Sequence, residues 1–241
     1  MYGEDLAYIH DQGYSSGAER AASFIVQMLQ SHDFRRRHIL DVGCGSGHST
    51  AVFAKAGYNV VGMDRSPAMI RLAKRRVPCG TFMIGSCSPN TKARWDVIVA
   101  IGEVVNYLPS RRALQEMLHR AFQTLRPGGY LIFDVRTPPP SGSSLEWSNG
   151  RTGKDWAVIA TSVVEPEQQW LARTITTFRR VRGKWRRGKE THRQQLYRLL
   201  EIHRWLRFEG FRARVHHGYD GTQLTPSGRV FIARKPTGKS Q

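Results

Sequence analysis

The sequence has few cysteines, no long apolar run and no apolar leader. Cys44, Cys79 and Cys87 show no C-x-x-C spacing, which indicates free thiols in a reducing compartment rather than a disulfide framework or a zinc site. No stretch of about 18 apolar residues is present, so we expect no membrane-spanning helix. The first residues include Glu4 and Asp5 without an apolar segment, so we expect no signal peptide and a cytoplasmic protein. No His and Asp cluster has metal-ligand spacing, and no metal is expected.

Acidic residues are scarce: 19 Asp and Glu stand against 37 Lys and Arg, a formal net charge of +18. Residues 171–215 contain fourteen Lys and Arg but only three Glu, with aromatic residues such as Trp185 and Trp205 among them. Basic residues mixed with aromatic ones are compatible with nucleic acid as a partner. The alternative is a solvent-exposed basic strand face, and the sequence contains no known RNA-binding motif.

Residues 39–64 contain the feature around which the rest of the sequence is arranged. Two short apolar runs, Ile39–Val42 and Tyr58–Asp64, flank a glycine-rich turn and a helical stretch. This pattern is typical of a β-α-β unit with parallel strands. Glycines in the turn allow backbone N–H groups to approach a ligand, and the next helix directs its positive N-terminus to the same place. We therefore expect a ligand site at the end of the first strand.

The spacing of the glycines separates two kinds of cofactor. A dinucleotide site needs G-x-G-x-x-G, but here the third position of that pattern is His48, and Asp41 lies two residues before Gly43. An acid there would suit a cationic amino group and would oppose a diphosphate. Asp64, about 20 residues beyond the turn, is placed to bind ribose hydroxyls. A ribose with an amino acid but no diphosphate indicates S-adenosylmethionine.

The sequence resembles the class I S-adenosylmethionine-dependent methyltransferases. The resemblance is carried by residues 40–47, 62–69, 96–100 and 125–131, and it extends from about residue 19 to residue 136. It implies an α/β fold with a doubly wound, Rossmann-like, seven-stranded sheet. The whole chain is similar to bacterial small-molecule methyltransferases that carry an antiparallel β insertion late in the sequence, which we expect to cover the active site as a lid.

The resemblance also implies which residues bind the cofactor. Met69 occupies a position that often packs on the adenine ring, whereas Ser86 stands where many members carry an Asp that accepts the adenine amino group. The N-terminal segment of such enzymes folds over the cofactor, which adds Tyr8 and His10 as candidates. The predicted cofactor-binding residues are Tyr8, Asp41, Gly43, Cys44, Gly45, Asp64, Arg65, Met69, Ser86, Ile101 and Gly102.

Acceptor-binding residues are expected after the fourth strand, because ligands of open parallel sheets lie outside the carboxyl ends of the strands. Asn106 and Tyr107 are candidates there, and Arg173 or Arg179 could bind an anionic group of the acceptor bidentately. A general base is needed only for a weakly acidic acceptor such as a hydroxyl. The candidate bases are His10 and Glu103, with His192 and Tyr219 in reserve.

The chain divides into four predicted parts. Residues 1–17 form an N-terminal active-site segment, and residues 18–137 form the S-adenosylmethionine-binding core. After a loop rich in Pro, Ser and Gly at 137–144, three strand-like runs form an antiparallel insertion over 150–197. Residues 198–236 supply a helix and the last two strands of the core sheet.

Three functions are consistent with these motifs. The first is in-line transfer of a methyl group from S-adenosylmethionine to the oxygen or nitrogen of a small acceptor, with an anionic acceptor as one alternative. The second is an RNA methyltransferase whose basic insertion binds nucleic acid. The third is a protein that binds the cofactor without catalysis. A small-molecule acceptor is favoured, since no RNA-binding module is present.

Overall fold

The computed structural model describes residues 2–31, 38–86, 94–139, 145–165, 169–219, 222–224 and 227–237. Cys87 lies outside these ranges, as do most of the predicted proline-rich loop at 137–144 and the predicted turn after Glu165. Within the described residues, no helix is long and apolar enough to cross a membrane.

Helices and strands alternate through the first half of the chain, and strands dominate the second half. The helices are α1 (Glu4–Gly13), α2 (Ser15–Ser31), α3 (His48–Lys55), α4 (Pro67–Arg76), α5 (Arg111–Thr124) and α6 (Leu199–Phe208), with a 3-10 helix at Val104–Tyr107. The strands are β1 (His38–Val42), β2 (Asn59–Asp64), β3 (Thr81–Ile84), β4 (Trp95–Ala100), β5 (Leu125–Arg136), β6 (Leu145–Thr152), β7 (Trp156–Glu165), β8 (Trp170–Val181), β9 (Lys184–Gln195), β10 (Arg212–His216), β11 (Gly218–Tyr219), β12 (Thr222–Gln223) and β13 (Gly228–Arg234).

Seven strands form one sheet in the order β10-β13-β5-β4-β1-β2-β3. Strands β3, β2, β1, β4 and β5 are parallel, whereas β13 is antiparallel to both of its neighbours. The strand order reverses between β1 and β4, and a ligand crevice forms at such a point. The α/β, Rossmann-like fold class predicted from the sequence is therefore confirmed.

The sheet has an apolar core on each face, because successive side chains of a strand point to opposite sides. Leu40, Ile98 and Phe133 pack with α5 and α6 on one face. Ile39 and Val97 pack with α2 and α3 on the other. Since both faces are covered by helices, the loops at the strand ends are left as the place for a site.

The insertion is a four-stranded antiparallel sheet in the order β6-β7-β8-β9, not the three strands predicted. The additional strand, β6, begins at Leu145 rather than near residue 150. Most of its residues are exposed, including Glu146, Ser148 and Arg151. A strand exposed along its length carries no apolar alternation, which is the signal on which a sequence-based prediction depends.

The N-terminal segment, predicted without secondary structure, contains the helix α1. Its residues Leu6 and Ile9 pack on Trp156, Val158 and Ile175 of the insertion sheet. The opposite side of the helix packs through Ala7 on the start of α4. Helix α1 is thus a layer between the insertion and the cofactor half of the core. A further difference is the short hairpin of β11 and β12, which lies in a stretch predicted as loop.

Candidate active site

A cavity of about 370 Å³ lies at the carboxyl ends of β1, β2 and β4, where α1, α2 and the 3-10 helix close over it. The predicted residues on its wall are His10, Gly43, Cys44, Gly45, Asp64, Arg65, Met69, Ile101, Gly102, Glu103 and Tyr107. The predicted residues away from the wall are Tyr8, Asp41, Ser86, Asn106, Arg173 and Arg179. None of the described residues of β6 to β9 lies on the wall, so the insertion acts on the cavity through α1, Glu103 and Tyr107.

The glycine-rich turn forms the floor of the cavity in a conformation that requires glycine. Gly43, Gly45 and Gly47 have φ angles of 69°, 54° and 82°, a left-handed region that other L-residues rarely adopt. A Cβ at Gly43 would lie 2.5 Å from a methyl carbon of Val104. The turn and the 3-10 helix are therefore in contact at the backbone of Gly43.

Asp64 connects the turn to the start of α4. Its Oδ2 accepts a hydrogen bond from the Gly45 N–H at 3.0 Å, and its Oδ1 accepts one from the Ser66 N–H at 2.8 Å. Burial raises the pKa of the Asp64 carboxyl. A Cβ at Gly45 or Gly102 would meet no atom within 4 Å. Both glycines thus border open space beside Asp64, and this cradle of backbone and carboxylate fits a ribose-bearing ligand such as S-adenosylmethionine.

Asp41 lies behind the turn and not on the cavity wall, contrary to the expectation that it faces a cationic amino group. It is buried, and its Oδ2 accepts hydrogen bonds from the Ser49 and Thr50 hydroxyls, both at 2.7 Å. Burial raises its pKa to about 6. Asp41 therefore anchors the N-terminus of α3 beneath the turn.

The adenine candidates are separated by the structure. Met69 is 2% exposed, packs with Ala7 and Ala68, and lies on the cavity wall. Ser86 is exposed and away from the wall, whereas the preceding Gly85 lies on it. The contact of Ser86 with the cofactor therefore stays a prediction, and Gly85 is the residue of this segment that borders the cavity.

Glu103 is on the wall, but both of its carboxylate oxygens already accept hydrogen bonds. Oε1 accepts from the Arg136 guanidinium at 2.7 Å and Oε2 from the Gln194 amide at 3.2 Å. Its backbone has a left-handed φ of 59°. The side chain is 21% exposed, so one edge still faces the cavity.

Asp134 is a wall residue that the sequence analysis did not select. Its carboxylate accepts hydrogen bonds from the Gly102 N–H at 2.8 Å, from the Glu103 N–H and from the Tyr219 hydroxyl at 2.9 Å. Burial raises its pKa to about 6. An acid after three apolar residues near the end of the predicted fifth strand was the signal that could have identified it.

Asn106 is fully buried and does not reach the cavity. Its amide nitrogen donates to the carbonyls of Arg136 at 3.0 Å and Gln195 at 2.6 Å, and its Oδ1 accepts from the Arg136 N–H at 2.9 Å. All of these bonds are to backbone groups. Asn106 therefore joins the 3-10 helix to β5 and β9, and its predicted contact with an acceptor is wrong.

Tyr8 of α1 and Arg179 of β8 contact each other and do not line the cavity. The Arg179 guanidinium lies 3.7 Å from the centre of the Tyr8 ring and donates to Asp5 at 3.1 Å. The Tyr8 hydroxyl donates to Asp155 at 3.0 Å. These contacts attach α1 to the insertion sheet.

Arg173 also lies away from the wall, where its Nε donates to the Ser162 hydroxyl at 3.1 Å. Its charge lowers the pKa of the Tyr107 hydroxyl, although burial raises that pKa overall. Arg173 therefore acts on the cavity at a distance and not as the predicted ligand of an acceptor.

His10 lies on the wall between two tyrosines. Its ring packs edge-on against Tyr2 at 5.3 Å and stacks on Tyr14 at 5.7 Å between centroids. Burial, together with the nearby His48, lowers its pKa to about 4. The ring is consequently neutral at pH 7, and no hydrogen bond to it is found among the residues that the structure describes.

His192 forms a connected set of hydrogen bonds with Tyr107. Its Nδ1 lies 3.3 Å from the Tyr107 hydroxyl oxygen, and its Nε2 lies 3.1 Å from Oε2 of Glu190. The other oxygen of Glu190 accepts the Gly3 N–H at 3.0 Å. Tyr2, which shares the cavity wall with Tyr107, packs edge-on against His192 at 5.0 Å. Sequence analysis named His192 only in reserve and did not identify Tyr2 or Glu190.

His48, which occupies the third position of the dinucleotide pattern, holds the two N-terminal helices on the turn. Its Nδ1 lies 2.7 Å from Glu19 of α2, and its Nε2 lies 3.1 Å from Asp11 of α1. Arg76 also donates to Asp11, at 2.6 Å. This cluster keeps α1 and α2 closed over the glycine-rich turn.

Comparison with known proteins agrees with this geometry. A family described as "Methyltransferase domain" matches residues 39–129. An inferred methyltransferase of Geobacillus sp. (strain WCH70) is 26% identical, over 96% of this chain and 98% of that protein. The chain is a class I S-adenosylmethionine-dependent methyltransferase.

Solved structures place this methyltransferase in a common fold. An S-adenosylmethionine-dependent methyltransferase from Clostridium acetobutylicum has a TM-score of 0.81 at 16% identity and covers 96% of this chain and 98% of its own. An amino pentose methyltransferase from Micromonospora echinaspora, solved with S-adenosylmethionine bound, has a TM-score of 0.76 at 18% identity, with 98% of both chains covered. At these identities the similarity of the solved structures concerns the fold. The cofactor of this methyltransferase is S-adenosylmethionine.

Proposed function

We propose that this methyltransferase transfers the methyl group to an oxygen or nitrogen atom of a small-molecule acceptor bound beside Tyr107. The observation that carries the proposal is that the glycine-rich turn, Asp64 and Tyr107 share one cavity. Its volume of about 370 Å³ is within the range of small-molecule sites. Helices α1 and α2 cover it, which favours a compact acceptor over a polymer.

The residues of the turn would hold the cofactor in this proposal. The backbone at Gly43 and Gly45 would bind its amino acid part, Asp64 would accept hydrogen bonds from the ribose, and Met69 would pack on the adenine. When bound, S-adenosylmethionine supplies a methyl group that its sulfonium centre has already activated. The protein's contribution is to hold the acceptor in line and to exclude water.

The acceptor side of the cavity is polar and carries both signs of charge. Glu103 presents a carboxylate, Tyr107 and Tyr219 present phenol groups, and the Arg65 guanidinium lies 5.3 Å from the centre of the Tyr107 ring. Hydroxyl or amine groups on a small ring would find partners among these residues. The amino pentose acceptor of the similar structure from Micromonospora echinaspora is compatible with such a wall.

The RNA alternative is weakened by where the basic residues point. Side chains alternate along β9, so Arg187, Lys189 and Arg193 are exposed on one face, while His192 and Gln194 are buried on the other. Three charges of the most basic strand thus point away from the cavity, whereas Arg186 on the other face donates to Asp5 of α1. A nucleic acid bound to those three charges would not reach the site of methyl transfer directly.

Calorimetric titration with S-adenosylmethionine tests the cofactor site. We expect micromolar binding to the wild type and at least tenfold weaker binding to Asp64→Asn, which loses one acceptor of the Gly45–Asp64–Ser66 set. Asp96→Asn is the matched control, because buried Asp96 also accepts a backbone N–H, that of His38 at 3.0 Å, and does not lie on the cavity wall. Absence of binding to the wild type would overturn the proposal.

Screening of hydroxylated and aminated small acceptors, with methylated products detected by mass spectrometry, tests the acceptor class. A product that forms with a small acceptor and not with total RNA supports the proposal. Methylation of RNA alone would replace it with the alternative function.

A further inference from the structure

We propose that Tyr107, His192 and Glu190 form a proton relay that removes the proton from the acceptor atom as it is methylated. The inference rests on the proposed function, which it deepens by assigning the acceptor an O–H or N–H group. Tyr107 is the group of the relay that touches the acceptor. His192 and Glu190 act through it.

The hydrogen bonds of the relay have one direction. Glu190 is a carboxylate and can only accept, so the proton on the His192 ring belongs on Nε2, 3.1 Å away. Nδ1 is then an acceptor, and the Tyr107 hydroxyl donates to it across 3.3 Å. The Tyr107 oxygen also accepts a hydrogen bond from the Tyr2 hydroxyl, and its remaining lone pair is available on the cavity side, where Tyr107 forms part of the wall.

The surroundings hold the relay in place. Glu190 and His192 are two residues apart on β9 and therefore lie on the same face of the insertion sheet. The Gly3 N–H fixes the second oxygen of Glu190 at 3.0 Å, and the His192 ring is 3% exposed. Tyr2 packs edge-on against that ring. The Arg65 guanidinium over the Tyr107 ring favours negative charge on the phenol oxygen.

The two bases selected from the sequence are less suited to this role. Both oxygens of Glu103 are occupied by donors from Arg136 and Gln194, so it is better placed to orient the acceptor than to take a proton. His10 has no partner among the described residues that would fix its tautomer or stabilise a charged ring. The relay fixes the tautomer of His192 and stabilises its charged ring, because Glu190 faces Nε2 while Tyr107 faces Nδ1.

The proton balance of the transfer follows from these contacts. The acceptor O–H or N–H bond breaks, and its electron pair stays on the acceptor atom, which forms a bond to the methyl carbon with a lone pair. The departing proton binds the Tyr107 oxygen while the proton of Tyr107 passes to Nδ1 of His192. The resulting imidazolium is stabilised by Glu190. Bound S-adenosylmethionine would supply the methyl group, and the electron pair of the broken S–CH3 bond would remain on its sulfur.

Two substitutions test the relay with purified full-length enzyme. Tyr107→Phe removes the hydroxyl, and His192→Asn keeps a polar group near Tyr107 but cannot take up its proton. We expect kcat to fall about 100-fold or more in each, with the KM for the acceptor changed less than threefold and S-adenosylmethionine affinity by calorimetry within threefold of wild type. Tyr197→Phe and His119→Gln, which alter residues away from the cavity, should stay within twofold of wild-type kcat. A kcat within twofold of wild type for both relay variants would overturn the inference.

Nuclear magnetic resonance of the His192 ring nitrogens tests the relay without an acceptor. The expected result is the Nε2–H tautomer, with the Nδ1 resonance shifted by Tyr107→Phe. The Nδ1–H tautomer would overturn the relay even if the enzyme methylates small molecules. Failure of every acceptor to be methylated would instead overturn the proposed function, and the ring tautomer would still decide whether the relay exists.

Discussion

Two carboxyl groups, Asp41 and Asp134, are buried beneath the site with pKa values raised to about 6. Each is held by short hydrogen bonds from hydroxyl or backbone donors, without a basic partner among the contacts described. Asp41 supports the glycine-rich turn from below, and Asp134 supports the backbone of Gly102 and Glu103. Both loops that border the cavity are therefore tied to a buried acid whose ionisation costs stability.

The stability of the protein should depend on pH through Asp41. Its pKa is about 6 when folded and near 3.8 when unfolded, so between these values the folded state holds a proton that the unfolded state has released. Stability contributed by this group is complete below pH 4 and is lost as the pH rises through 6. The loss is on the order of 2–3 kcal/mol.

Asp41→Asn cannot titrate and retains an oxygen acceptor for Ser49 and Thr50. We expect the free energy of unfolding of this variant, relative to wild type, to increase by on the order of 2–3 kcal/mol between pH 4 and pH 7. Denaturant unfolding at a series of pH values measures the difference, in which the contribution of Asp134 cancels. A difference in unfolding free energy that is constant across this pH range would show that the pKa of Asp41 is not raised in the folded protein.

Local sequence signals were sufficient for residues whose role depends on the backbone. Gly43, Gly45 and Asp64 lie where their spacing predicts, because a turn that needs left-handed angles also determines where its glycines stand. Asp41 and Asn106 were assigned to ligands although their partners are protein groups. A polar side chain in a motif does not reveal whether its hydrogen-bond partner is Ser49, a backbone carbonyl or a ligand.

Helix α1 is the element on which the cavity depends most. It carries His10 and Asp11 to the wall and to the His48 cluster. Its other side is seated on Trp156 of β7, whose indole lies so close to Gly13 that an added Cβ there would be 2.7 Å from a ring carbon. Contacts with the insertion thus position a helix that closes the core.

Trp156→Ala should remove the main packing contact between α1 and the insertion sheet. Trp156 is 7% exposed, and truncation of such a side chain costs about 3–5 kcal/mol. We expect that loss in denaturant unfolding, together with weaker S-adenosylmethionine binding in calorimetry, because the His48 cluster loses the support of α1. The milder Trp156→Phe should show the same direction in both measurements.

Trp185→Ala is the matched control for this change. Trp185 lies at the β8–β9 end of the same sheet, is 56% exposed and stacks only loosely with Arg180 at 5.8 Å. Its truncation should change the unfolding free energy by no more than about 0.5 kcal/mol and leave cofactor affinity unaltered. Equal losses for the two tryptophans would contradict a specific seat for α1.

Helices and strands were predicted correctly where the apolar periodicity of the sequence is strong. They were missed where contacts between distant parts of the chain determine the secondary structure. The strands β4 and β5 and the helix α5 follow from apolar runs and spacing. Helix α1 is short, and its two apolar sides are defined only by the insertion and α4, which are distant in sequence. Strand β6 is exposed along most of its length, and it exists because β7 offers it a hydrogen-bonding edge.

At the scale of the whole molecule, three exposed cations of β9 lie on the opposite face of the insertion sheet from Glu190 and His192, whereas Arg173, Arg179 and Arg186 share the inner face with α1. The inner face of the sheet meets α1 and supplies Glu190 and His192 to the site, while its outer face carries Arg187, Lys189 and Arg193 in the exposed positions of β9. Composition predicted the basic region correctly, but not the face of the sheet to which its side chains point. That face depends on the register of β8 with β9 and on the packing of α1, which composition does not contain.

The separation of the two faces gives a test of what the excess positive charge does. The triple variant Arg187→Gln/Lys189→Gln/Arg193→Gln removes three exposed cations without touching the cavity wall. We expect kcat/KM for a small acceptor to stay within twofold of wild type. Any retention on RNA at low salt should weaken, and the slope of log affinity against log salt should become shallower by about 2, since each lost phosphate contact contributes roughly 0.7 to 0.9.

The contrary outcome has an equally specific form. If the outer face presents the true acceptor, wild type will methylate RNA, and the triple variant will lose that activity while binding S-adenosylmethionine normally in calorimetry. His192→Asn is the matched control, since it changes the inner face of the same strand and leaves the exposed cations in place. Loss of small-molecule turnover in His192→Asn alone, with RNA retention unchanged, would assign catalysis to one face of β9 and the charge to the other.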